Sequence, residues 1–147
     1  MKHFFLGLLA VTGFLLAAAQ SAPKTDTWSI KLNGENVFTA SKENETANTV
    51  KIAARDLVKK NSCVEINYVP ALANAGWSRS IMLYDENDNE LLNKKMSGDS
   101  LYIAGSEWKK LATQKKKIKI YTISLPDDPK LAATVRVRRV HLCTLEL

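Results

Sequence analysis

The chain has 147 residues, with 21 Lys and Arg against 15 Asp and Glu, and only two histidines. His3 lies in the leading apolar segment, so His141 is the only histidine left to a folded domain, which excludes a two-histidine metal site or a His-rich copper site. The two cysteines, Cys63 and Cys143, are not a C-x-x-C redox pair, and no phosphate loop or catalytic signature occurs, so no metal and no cofactor is expected.

Residues 1–22 read as a secretory signal. Lys2 gives the positive start, Phe4 to Ala19 the apolar run, and Ala17-Ala18-Ala19 small residues for cleavage. The expected location is secreted or periplasmic. No later segment is apolar enough to cross a membrane. Cleavage removes Lys2 and no acid, leaving 20 basic against 15 acidic residues, a net charge of +5. Residues 23–147 form one domain by length.

Trp28 to Leu32 alternates apolar and polar residues, as does the segment after Asn33-Gly34. Asn-Gly between two such runs predicts a hairpin with a type I′ turn, pairing Leu32 with Glu35 and Ile30 with Val37. Ser41 to Thr49 is a polar loop. It carries the sequon Asn44-Glu45-Thr46, which is not expected to be used. Val50 and Ile52 begin a strand, and Ala53 to Lys60 fits either a helical turn or a strand end. Cys63 to Val69 alternates again.

Pro70 to Gly76 is a loop, followed by strands Trp77 to Tyr84 and Glu90 to Lys95. Between them, Asp85-Glu86-Asn87-Asp88-Asn89 resembles the start of a calcium loop. Glu90 stands where glycine is needed and Met96 where a bidentate carboxylate is needed, so a hairpin turn is expected instead. Leu101 to Ile103 is a short strand. Ser106 is placed to cap a helix over Glu107 to Gln114, with Trp108, Leu111 and Ala112 on one face and Lys115 to Lys117 at the C-terminal end.

The last third reads as a long hairpin, Lys117 to Leu125 and Ala132 to Leu147, joined by Pro126-Asp127-Asp128-Pro129-Lys130. If Ile118 and Ile120 face inward opposite Val135 and Val137, then Lys117, Lys119, Tyr121, Arg136 and Arg138 share the outer face. At Arg138-Arg139 the alternation changes phase. Either a bulge lies there, or the strand is buried on both faces from Val140 onward.

About eight short strands and one short helix give an all-β chain, a single antiparallel β-sandwich of immunoglobulin-like or jelly-roll-like type. Cys63 and Cys143 are candidates for a disulfide in an exported protein. It would close about 80 residues and contribute up to ~4 kcal/mol in the chain-entropy model.

The basic face is the candidate ligand-binding site: Lys117, Lys119, Tyr121, Arg136 and Arg138, for an anionic glycan, lipopolysaccharide or an acidic protein. Nucleic acid is not expected outside the cell. No catalytic residue is assigned, so the expected function is a non-enzymatic binding or envelope-associated module. Two other readings stay open: a secreted carbohydrate hydrolase using a carboxylate pair, and a structural module whose basic stripe faces acids of its own chain or of a second copy.

Overall fold

The computed structural model describes residues 25–57 and 62–147. The expected signal, residues 1–22, lies outside the described residues. Nine strands form two sheets: β1 (Thr27–Leu32), β2 (Glu35–Ala40), β3 (Thr49–Lys51), β4 (Cys63–Val69), β5 (Trp77–Asp85), β6 (Glu90–Lys95), β7 (Ser100–Ala104), β8 (Lys117–Pro126) and β9 (Val140–Glu146). One sheet runs β2-β1-β4-β7 and the other β3-β9-β8-β5-β6. The helices are α1 (Ala54–Leu57), α2 (Gly105–Ala112) and α3 (Pro129–Ala132).

The inner faces are the ones the alternation marks. Trp28, Ile30 and Leu32 meet Val64, Ile66 and Tyr68 on one sheet, and Ile81 and Leu83 meet Ile118 and Ile120 on the other; all belong to one buried cluster. The two sheets make a β-sandwich, and the run β9-β8-β5-β6 has the same strand order as G-F-C-C′ in a variable-type immunoglobulin sheet. All ladders are antiparallel except β3 with β9, which is parallel.

Several local expectations change. Asn33 and Gly34 do turn with positive φ, 55° and 86°, and Leu32 faces Glu35. A bulge between Ile30 and Lys31 then moves Phe38, not Val37, opposite Ile30. Ser106 is not the cap of α2. The helix starts at Gly105 after Ala104, which offers no side-chain cap. Gly105 is required there because a Cβ would lie 2.8 Å from the Ser62 carbonyl oxygen. Trp108 is fully buried beneath this helix, as its apolar face requires.

The C-terminal hairpin differs most. Asp128 accepts the Lys130 amide and Pro129 fits the first helical position, so the linker winds into α3 instead of making a tight turn. Residues 133–139 then run outside any strand, and β9 begins only at Val140. Val135 and Val137 therefore do not face Ile118 and Ile120, and Arg136 and Arg138 lie on the approach to β9 rather than within it. The ladder bulges at Leu142, between the pairs Ile120–Cys143 and Tyr121–His141. From His141 to Leu145 the strand is buried on both faces.

The cysteines are not bridged. Cys63 lies at the start of β4 in the four-stranded sheet and Cys143 is buried in β9 of the other sheet, both as free thiols. Burial pushes the Cys143 thiol up to about 12.

Candidate functional site

The outer face of the five-stranded sheet carries most of the expected basic surface. Strand β8 presents Lys117, Lys119 and Tyr121 outward, because Ile118 and Ile120 are fully buried between them. Their neighbours across β9 are Glu146, Thr144 and His141, not arginines. The late start of β9 thus replaces the expected like-charge opposition with one complementary pair, Lys117 and Glu146, and two pairings without opposed cations.

Three of the four expected cations have an acid of the same chain. Lys117 Nζ lies 2.8 Å from Glu146 Oε1, Lys119 Nζ 2.7 Å from Asp88 Oδ1, and Arg138 Nη1 2.6 Å from Glu43 Oε2. Glu43 does more than neutralise. Its second oxygen accepts the His141 backbone N–H at 2.8 Å, next to the Leu142 bulge. Burial alone would raise the Glu43 carboxyl, but the His141 amide and the Arg138 guanidinium outweigh it and hold it below its ordinary value. Arg136 is exposed and has no side-chain partner among the described residues.

Beside the lysines sits an aromatic cluster. Tyr121 meets Tyr84 edge-on, with centroids 5.7 Å apart, and His141 at 5.3 Å. Exposed Arg139 covers it, with its guanidinium carbon 4.7 Å from the Tyr84 centroid and 5.0 Å from that of Tyr121. His141 is 1 % exposed. Its Nε2 is 2.9 Å from Thr144 Oγ1, while its buried Nδ1 has no partner. Burial holds the imidazole below its ordinary pKa, aided by the Lys119 charge and opposed by Glu45 and Glu43. A shallow cavity of 360 Å³ lies here, lined by Lys117, Lys119, Tyr121 and His141 together with Glu45 and Glu146.

The structure therefore joins Lys117, Lys119 and Tyr121 on one face, and places Arg136 and Arg138 on the segment that approaches it. Tyr84 and Glu43 are additions. Tyr84 was accessible to sequence reasoning, since it alternates with Leu83 and points away from the core; only the β5–β8 adjacency was missing. Glu43 sits in a polar loop with no pattern to mark it.

The suspected calcium loop is a hairpin turn. Asp85 accepts the backbone amides of Asn87 and Asn89, both at 2.9 Å, and the Lys115 ammonium lies 2.8 Å from its other oxygen. The Lys115 charge, first of all, and then the Asn89 donors hold the Asp85 carboxyl far below the usual range. Among the described residues no group of three or more His, Cys, Asp or Glu is arranged to hold a metal ion, and no helix is long and apolar enough to cross a membrane.

No protein-family model matches the chain, and no curated protein and no solved structure matches it either.

Proposed function

We infer that the protein is an exported, non-enzymatic recognition module that binds an anionic partner (an anionic glycan, lipopolysaccharide or an acidic protein) through the outer face of its five-stranded sheet. The observation that carries this reading is Arg139. It is exposed, lies across Tyr84 and Tyr121, and has no carboxylate partner among the described residues. Rings beneath a guanidinium fix its orientation and leave its N–H groups free for sulfate, phosphate or carboxylate oxygens. Arg136 adds a second uncommitted cation nearby in sequence. The ion pairs of Lys117 and Arg138 are exposed and contribute little to stability, so a polyanion can compete for those cations.

Export rests on the apolar run of residues 1–22. The hydrolase reading finds less support. A glycosidase general acid needs a carboxyl lifted toward neutrality. Asp26, Glu43, Glu65, Asp85, Glu86, Asp127 and Glu146 are all held below their ordinary pKa.

A second reading, a structural module, is favoured by the three ion pairs that already close much of the basic stripe. Binding to immobilised anionic and neutral glycans and to an acidic peptide separates the two. Retention on anionic surfaces alone, lost as salt rises, supports recognition. No retention at low ionic strength leaves the structural reading.

A further inference from the structure

A second site lies at the end of the sandwich where residues 70–76, 96–99 and 127–139 connect the strands. Arg79 sits on β5 in the same alternation as Ile81 and Leu83, so it belongs to the inner face of the sheet. An inward arginine between two sheets calls for a counter-ion, and this one makes no direct ion pair among the described residues. Its guanidinium carbon lies 3.8 Å from the centre of the Tyr68 ring on the opposite sheet. Its Nη1 donates to Thr122 Oγ1 at 3.3 Å. No carboxylate lies within ion-pair distance among the described residues. Asp26 is near enough for its charge to be felt, but its oxygens are taken by the Tyr68 hydroxyl and the Ala71 amide. A guanidinium has five N–H donors, and the side-chain acceptors that Arg79 finds among the described residues are the hydroxyls of Thr122 and Tyr68.

Arg79 lines a cavity of 290 Å³ whose walls include Trp77, Asn74, Ser78 and Ser124, with one further cation, Lys95, and one acid, Asp99. Trp77 is partly exposed, unlike the buried Trp28 and Trp108. The combination is specific: a planar fork suited to a carboxylate, an accessible indole face, and short hydroxyl and amide groups. The volume suits one sugar ring rather than an extended polymer.

We propose that this cavity binds a single uronate residue, free or at the end of a glycan, with its carboxylate on the Arg79 guanidinium and its ring against Trp77. The site is separate from the outer face and does not depend on the reading given above.

The test is an NMR titration following the Arg79 Nε–H and Trp77 Nε1–H signals. The probes are glucuronate, galacturonate, glucose, acetate and a short peptide with a free C-terminus. The uronates are expected to move both signals saturably, and glucose is not. Arg79→Lys keeps the charge but loses the fork, and should weaken uronate binding roughly tenfold or more. Trp77→Leu, which leaves the Arg79–Tyr68 packing in place, should weaken it as well and guards against a folding defect in the first variant. Unmoved signals in the folded protein, or glucose binding as well as glucuronate, would overturn the proposal. So would acetate or the peptide binding as tightly as the uronates, since the sugar ring would then contribute nothing.

Discussion

The indole N–H of Trp28 donates to the backbone carbonyl of Leu142 at 2.9 Å, across the gap between the two sheets. Leu142 is the residue that the β9 bulge leaves without an opposite partner, so the indole satisfies a carbonyl that the ladder does not. Trp28 is itself stacked on Tyr68, with centroids 6.0 Å apart. Replacing Trp28 by Phe keeps an aromatic ring but orphans a buried carbonyl. The expected loss is about 1–3 kcal/mol. Urea unfolding should show a lower midpoint with an unchanged slope; an unchanged midpoint would mean that water reaches Leu142.

Lys115 occupies the position that a cation would take beside Asp85. Added calcium should therefore leave the thermal midpoint where it is. Lys115→Ala should lower that midpoint, because Asp85 is buried and loses its counter-charge. A calcium-dependent rise in the wild-type midpoint would show that the turn holds the ion after all.

His141 gives the fold a pH dependence of definite sign. Its folded pKa is below the ordinary 6.5, so the unfolded chain binds the proton more readily. The stabilisation is complete above about 6.5 and is lost as pH falls through that value toward the folded pKa. Displaced carboxyls such as Glu43 and Glu146, also lowered, contribute a similar loss, but only near and below 4.5. Stability measured from pH 7.5 down to 5.5 should fall, and His141→Gln should flatten the curve. A curve of the same slope in the variant would remove His141 as the cause.

The free thiols differ in access. Cys143 is fully buried and its thiol is held protonated, whereas Cys63 is partly exposed. A thiol reagent should modify Cys63 in the native protein and Cys143 only after unfolding. An intact mass lower by two protons, with no reactive thiol in denaturant, would show a bridge instead.

Much of the fold was legible in residue alternation. The inward sets Trp28/Ile30, Val64/Ile66/Tyr68, Ile81/Leu83 and Ile118/Ile120 all lie in the core, and Asn33-Gly34 makes its turn. The failures share a cause. Val135 and Val137 alternate as a strand does, but period two shows only that a segment can pair, not that a partner is available. Asp128 and Pro129 start α3, and Arg138 and His141 instead meet Glu43 from a loop nearly a hundred residues earlier. Long-range partners of this kind leave no local trace. For the same reason the sequence showed the cations of the candidate site but not which of them were already paired. Nor does anything in the sequence set Arg79 apart from the other residues of its strand. Only the facing sheet, which sets Tyr68 beneath it, gives that arginine its meaning.

The outer-face reading is tested most directly by the salt dependence of binding to an immobilised polyanionic glycan, for the wild type and for Arg136→Ala/Arg139→Ala. The wild type should bind at low salt and release steeply as salt rises, and the double variant should bind several-fold more weakly with a shallower dependence. Equal affinity and equal salt dependence in the two proteins would contradict the assignment, because the two uncommitted arginines would then play no part in recognition.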